Sequence, residues 1–473
     1  MAHRFVVIGG GPAGNQAATT AARLGAQVTM IERDVIGGAA HLRDCIPSKA
    51  MIATGGAMDD LRKAPGMGLV SVAPALDLDA LRVRIEAIED RLEHSVSSLL
   101  DSQGVRTIAG TGRLVGPHQV EVTPNDGGAA EVLEADTVVL STGSRPRLPA
   151  FAPMESDRVL TTRDAYPPDV LPEHLVVIGS GVTGVEFVHM FSAFGCDVTL
   201  IVSRQQVLPQ KDPEVAAVLE DDFLRRGVKL FKGARAEGID VTDEGIAVRC
   251  DDGRVARGSH ALLCIGSIPN SEELGLDTVG VDTDGGYVVV DHNCKSSVPH
   301  IYAAGDLSGK LPLSSVASMQ GRKIAEHALG LHAGPHRHLD YEKAASAIFT
   351  DPEIADVGLA EADAFSAGRK VRVTKVPFSA SAKALINDDP RGFVKIISDP
   401  STGVVLGGSI VGQHAAELIS VLALAVTAGL RVTDIVESLL VHPALSESLA
   451  DDRAAKDHAG GRVGDDLHEA AGV

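Results

Sequence analysis

Gly9, Gly11 and Gly14 follow the apolar run Phe5–Ile8, and Gly179, Gly181 and Gly184 follow a second such run, Leu175–Ile178. Each loop leads into a helical stretch, ending near Gly25 or Gly195, and then a further apolar run, Val28–Ile31 or Val198–Val202. G-x-G-x-x-G between a strand and a helix suits a dinucleotide pyrophosphate. The first glycine makes the tight turn, the second lets backbone approach the phosphates, and the third lets the helix pack closely. The helix N-terminus adds partial positive charge. Glu32 ends the first unit, where a carboxylate accepts hydrogen bonds from ribose hydroxyls. Val202 stands at the matching place in the second, followed by Ser203 and Arg204. Without the carboxylate a 2′-phosphate is not repelled, and Ser203 and Arg204 could bind it. NADPH is therefore expected, with NADH tolerated. Two such sites in one chain suggest a fixed flavin and an exchangeable nicotinamide.

Two further groupings could do chemistry. Cys45 and Lys49 are one turn apart if CIPSK is helical. VHPALSE supplies His442 and Glu447, an imidazole able to move protons near neutral pH and a carboxylate able to orient it. The cysteines, at 45, 196, 250, 264 and 294, are scattered and odd in number, which argues against a secreted disulfide framework. No CxxC pair occurs, so no metal site is expected.

The elements that must position these residues can be read coarsely. A chain of 473 residues suggests about three domains of ~150 residues. With 44% hydrophobic and 22% charged residues it is globular. A net charge of -20 repels phosphate backbones and argues against nucleic acid as a partner. No uncharged apolar run reaches the ~18 residues of a membrane span. The short apolar start runs directly into a glycine loop and does not suit a signal peptide, so a cytoplasmic protein is expected. Residues 75–103 carry Leu81, Ile85, Ile88, Leu92 and Leu99 at helical spacing, and 105–140 alternate like short antiparallel strands. Pro146 to Pro172 reads as an inter-domain connection. From about residue 340 strand-like runs precede a helix-like AAELISVLALAVTAG, an α+β pattern.

With both glycine loops, GGAAHLRDCIPSK (37–49), STGSRP, IYAAGD and HPALSE in order over residues 4 to 450, the chain resembles the FAD-dependent pyridine nucleotide–disulfide oxidoreductases. The resemblance implies an α/β fold with two Rossmann-like dinucleotide-binding domains and a C-terminal α+β dimerisation domain. It divides the chain into an FAD-binding domain (1–150 and 271–340), an NAD(P)H-binding domain (151–270), a dimerisation domain (341–450) and a flexible acidic tail (451–473), in a homodimer.

It also implies roles. Lys49 matches the lysine near flavin N5, and Glu186 its carboxylate partner. Asp306 matches the aspartate that bonds the ribityl chain. Gly38, Gly112, Thr142 and Gly143 match backbone that lines FAD, and Gly266 its nicotinamide-side counterpart. His442 and Glu447 match a catalytic pair that reaches the partner subunit's flavin.

One departure matters. The family segment GGTCLNxGCIPSK has two cysteines, whereas here the flavin-side residue is Cys45 and its partner position is Ala40. The family disulfide cannot form, and dithiol turnover is disfavoured, because one thiol cannot both attack and resolve. Cys45 is left as a thiolate beside the flavin, a lone redox thiol, or a small packed residue. The variant segment resembles mycobacterial-type NAD(P)H quinone reductases that lack the disulfide. The expectation is an FAD enzyme carrying electrons from NADPH to a quinone, which needs two electrons and two protons. The alternatives are a soluble transhydrogenase, a dihydrolipoyl dehydrogenase with a relocated thiol, and a flavin-bearing redox sensor with little turnover.

Overall fold

In a computed structural model, which describes residues 2–331 and 339–450, the first glycine loop joins strand β1 (Arg4–Ile8) to helix α1 (Pro12–Arg23), which returns to strand β2 (Gln27–Glu32). Phe5–Ile8 is buried without alternation, as expected of a parallel strand covered on both faces. β1 lies between β2 and Thr137–Leu140, parallel to both, and Ile301–Ala303 extends the sheet. Beyond β2 come Arg106–Gly116, Gln119–Pro124 and Glu131–Glu134, completing seven strands. The expected antiparallel character of 105–140 therefore stops at Glu134. Thr137–Leu140 is a fully buried parallel strand, because it must carry the sheet between β1 and Ile301–Ala303.

α1 buries Ala13, Ala17, Ala18 and Ala21, side chains short enough for close packing on helix Ser314–Ala328. A Cβ at Gly321 of that helix would lie 2.0 Å from the Ala13 carbonyl oxygen, so nothing larger fits. This contact fixes where the N-terminus of α1 points. The expected helix over 75–103 is Leu78–Ser102; it buries Leu81, Ile85 and Leu100 and leaves Leu99 exposed. A second helix, α2 (Ile46–Lys63), follows a π-helical stretch, Ala40–Cys45.

The repeat recurs as β3 (His174–Ile178), α3 (Val182–Phe194) and β4 (Asp197–Val202). Its parallel sheet runs Lys229–Lys232, β4, β3, His260–Leu263 and Val159–Leu160. That last strand lies inside the Pro146–Pro172 connection, which is thus part of the second sheet and not only a linker. The two repeats agree in register: Ile8 faces Ile31 in one, and Ile178 faces Ile201 in the other.

These repeats belong to one compact unit, residues 1–209 and 220–341. The other unit comprises residues 210–219 and those from 342 onward. It holds a five-stranded antiparallel sheet in the order Ser346–Ile348, Glu353–Gly358, Val405–Gly412, Phe393–Ser398, Arg372–Pro377. The helix Ala415–Ala428 seals one face with Ile419, Leu422 and Ala425. The expected tail, 451–473, lies outside the described residues. Among the described residues no helix is long and apolar enough to cross a membrane.

Candidate active site

The first loop is built around carbonyl oxygens. Gly9 has φ +107°, and a Cβ there would lie 2.3 Å from the Ser141 carbonyl oxygen. A Cβ on Gly14 would lie 2.0 Å from Gly9 O, so α1 can start this close to the turn only with glycine at that place. Gly11 caps α1 without a side-chain hydrogen bond to its amides, and Gly38 packs so tightly on it that a Cβ there would meet Gly11 Cα at 2.4 Å. Glu32 Oε2 accepts from Gly10 N at 2.6 Å and Oε1 from Asp34 N at 2.8 Å, which holds the carboxylate at the rim of the loop. Gly112 sits against Ile8 and Ile31. Thr142 is tied to Asn270 by paired bonds, Oγ1 to Asn270 O at 2.7 Å and Asn270 Nδ2 to Thr142 O at 2.9 Å. Gly143 O accepts from Asn270 N at 3.0 Å. Asp306, in a short turn after Ile301–Ala303, accepts from Ser144 Oγ at 2.7 Å.

The second loop repeats this construction. A Cβ on Gly179 would meet Cys264 O at 2.3 Å, and one on Gly184 would meet Gly179 O at 1.9 Å. Gly181 caps α3 with open space around it. By register, Val202 is the counterpart of Glu32, and it is buried. Ser203 and Arg204 follow, both exposed. Gly266 lies at φ +93° facing open space.

Between the repeats, Lys49 on α2 reaches across to Glu186 on α3, Nζ to Oε2 at 2.7 Å. All five cysteines are free thiols, so Cys45 has no disulfide partner in Cys264 or Cys294 either. Burial pushes the Cys45 thiol up by more than Lys49 pulls it down, with Glu186 and Asp44 adding to the rise. Burial therefore works against the thiolate reading of Cys45. In the other unit His442 Nδ1 lies 2.7 Å from Glu447 Oε1, and Glu447 Oε2 accepts from Ala444 N at 2.8 Å. The Ala444 amide, and then His442, hold the Glu447 carboxyl below its usual range. His442 is exposed.

Residues 3–321 match the pyridine nucleotide-disulphide oxidoreductase family, and residues 344–453 match the dimerisation domain of the same family. The chain belongs to the pyridine nucleotide-disulphide oxidoreductases. It is 42% identical to a Mycobacterium tuberculosis protein named NAD(P)H dehydrogenase (quinone), over 95% of this chain and 93% of that one. It is 34% identical to the dihydrolipoyl dehydrogenase of Zymomonas mobilis, over 95% and 97%. The crystal structure of LpdA from Mycobacterium tuberculosis superposes with a TM-score of 0.90 at 41% identity, covering 96% of this chain and 99% of LpdA. The HOCl-induced flavoprotein disulfide reductase RclA of Escherichia coli shares the fold, with a TM-score of 0.83 at 24% identity over 94% and 98%.

As a member of this family the chain is a flavoprotein oxidoreductase that binds FAD and uses NAD(P)H. The first loop fits that cofactor. Cβ atoms at Gly9, Gly14 and Gly38 would collide with backbone, and the first amides of α1 carry no side-chain cap, as a bound pyrophosphate requires.

The structure also brings in residues that sequence reasoning missed. Arg163 pairs with Asp44, Nε and Nη2 each 3.3 Å from a carboxylate oxygen. Tyr166 stacks on Phe187, ring centroids 4.6 Å apart. Asp44 was visible as a departure, since the family segment has glycine there. Arg163 and Tyr166 carried no signal, because they lie in the proline-rich stretch and reach the site only through the fold.

Proposed function

We propose that this enzyme carries electrons from NADPH to a quinone without a redox disulfide. The observation that supports this most is the lone Cys45 opposite Ala40: a free thiol with no second sulfur offers no dithiol route. The name of the mycobacterial relative points the same way. We further read residues 1–150 with 271–340 as the FAD-binding domain, 151–270 as the NAD(P)H-binding domain and 341–450 as the dimerisation domain.

Bound FAD supplies two-electron chemistry between nicotinamide and acceptor. Gly9, Gly11 and Gly14, with the amides of α1, hold its pyrophosphate, while Glu32 has lone pairs left for ribose hydroxyls. Gly38, Gly112, Thr142 and Gly143 line the cofactor, and Asp306 bonds the ribityl chain. Lys49, held by Glu186, sets a positive charge at the reactive end, where negative charge develops. Gly179, Gly181, Gly184 and Gly266 receive NADPH, and Ser203 and Arg204 bind its 2′-phosphate. In a homodimer, His442, oriented by Glu447, delivers a proton to the acceptor in the partner subunit's site. Leu439 and Val441, just before it in the chain, are exposed, as is Leu424, and apolar side chains so exposed suit burial against a second copy.

The test is anaerobic reduction with NADPH followed by an acceptor panel. Menadione and benzoquinone should reoxidise the enzyme quickly, and lipoamide should not. Failure with both quinones would overturn the proposal. Rapid reduction of thio-NAD alone would establish a transhydrogenase in its place.

A further inference from the structure

The turn that carries Asp306 hangs from a buried side chain. Gln320, on the helix Ser314–Ala328, is 0% exposed. Its Oε1 accepts from Gly305 N at 2.7 Å. Its Nε2 donates to Tyr341 Oη at 2.9 Å and, over a longer 3.4 Å, to Ser308 Oγ. The Ser308 hydroxyl gives its own proton to Gly305 O at 2.8 Å. A backbone N–H can only donate, so the atom facing Gly305 must be the amide oxygen, and both amide protons are left for the two hydroxyls. One amide thus holds both ends of the 3-10 turn Gly305–Ser308, with Asp306 between them.

A buried amide costs free energy unless its hydrogen bonds are closed, and closed ones fix a unique arrangement. Here that arrangement sits on the cofactor cradle. The next residue, Gly321, is the one that packs on Ala13 at the start of α1. A Cβ on Gly305 would come to 3.7 Å from Ala317 Cβ and 3.8 Å from Ala13 Cβ, so the turn lies where that helix meets α1. One helix therefore registers two parts of the site: Gly321 sets the amides of α1, and Gln320 sets the turn. Asp306 Oδ2 accepts from Ser144 Oγ at 2.7 Å, next to Gly143. Without Gln320 the carboxylate keeps its Ser144 bond, but the turn beneath it loses its anchor.

We propose that Gln320 is a positioning residue for FAD, acting through Gly305 and Ser308 to aim the Asp306 carboxylate at the ribityl chain. Its role rests on the reading of Asp306 as the group that bonds that chain. Tyr341 is the outer member of the set. Its oxygen takes one amide proton and lies 3.9 Å from Sγ of the buried Cys294. Removing the phenol leaves the Gly305 bond in place, so Tyr341 should matter less than Gln320.

The test uses the FAD-loaded enzyme and two readouts that need neither nicotinamide nor acceptor: the FAD dissociation constant, from the fluorescence of flavin released on dilution, and the melting temperature at rising concentrations of added FAD. Failure of the quinone proposal therefore leaves this test intact. Gln320→Met keeps the length of the side chain and removes both polar atoms. It should raise the dissociation constant about tenfold or more, and its melting temperature should climb only at correspondingly higher FAD. Tyr341→Phe and Ser308→Ala each remove one hydroxyl partner and should raise the constant about threefold. They carry the test if Gln320→Met does not fold; wild-type affinity in both would then overturn the proposal. In an Asp306→Ala background Gln320→Met should weaken FAD no further. Unchanged affinity in Gln320→Met would overturn the proposal. So would a lower melting temperature at every FAD concentration with an unaltered dissociation constant, or a further loss in the Asp306→Ala background. Asp306→Ala with wild-type affinity would be a distinct result: it would remove the reading of Asp306, and this inference with it.

Discussion

Glu186 is almost sealed from solvent, whereas its partner Lys49, 2.7 Å away, is partly open to it. The two ends of the pair should therefore answer differently to mutation. Lys49→Met removes the cation from a buried carboxylate and should cost about 1–3 kcal/mol, a buried-pair value reduced for the exposure of the lysine. Glu186→Gln keeps a hydrogen-bonding group of the same shape and should cost less. Both should slow flavin reduction by about 10- to 100-fold. Thermal melting and stopped flow check this; a Lys49→Met enzyme as stable as wild type would contradict it.

The glycines at the third position of each loop separate the two cofactors. Gly14→Ala places a methyl 2.0 Å from Gly9 O and should yield protein with little bound flavin. Gly184→Ala places one 1.9 Å from Gly179 O; it should stay yellow while its KM for NADPH rises about tenfold or more, roughly 1.4 kcal/mol. Absorbance ratios of the purified proteins and steady-state kinetics decide the matter. Full flavin content in Gly14→Ala would mean that the loop tolerates what its carbonyl geometry forbids.

Arg204 is exposed, so its removal should not disturb the fold. Arg204→Ala should raise the KM for NADPH about fivefold to tenfold and leave that for NADH unchanged. Equal effects on both nucleotides would remove Arg204 from 2′-phosphate recognition.

Cys45 should be slow to react. Burial raises its thiol, and Lys49 partly offsets the rise. Iodoacetamide labelling, followed by mass spectrometry of the Cys45 peptide, should be sluggish at pH 7 and accelerate above the usual thiol range of ~8.5. Lys49→Met should slow it further at every pH. Rapid labelling near pH 6 would restore the thiolate reading.

Glu447 sets a pH window. Its carboxyl is depressed in the folded state, first by the Ala444 amide and then by His442. The stabilisation is thus fully present above the unfolded carboxyl value, ~4.3, and lost as pH falls through the lower folded one. Wild type should melt slightly above Glu447→Ala at pH 6, and the gap should close under strong acid. A gap that widens on acidification would have the wrong sign.

Much of this protein is legible in its residues alone. Gly9, Gly11, Gly14 and Glu32, with their echo at Gly179, Gly181, Gly184 and Val202, are local patterns: strand, turn and helix are adjacent in the chain, so residue type and spacing carry the geometry. Ala40 opposite Cys45 is likewise a matter of residue identity, and removes the disulfide whatever the fold. Local patterning also placed the helix at Leu78–Ser102, though it chose Leu99 for the core where packing took Leu100.

What the tertiary structure decided lies between distant segments. Thr137–Leu140 is parallel because of what flanks it in the sheet, and Val159–Leu160 is a strand because it pairs with His260–Leu263. Burial raises the Cys45 thiol by more than a lysine one turn away lowers it, a balance that no spacing reveals. Arg163 meets Asp44 across more than a hundred residues of chain, and Tyr166 meets Phe187 around a turn from another layer. Periodicity records which side chains share a face of one element. Which faces meet is settled only when all elements bury their apolar surface at once.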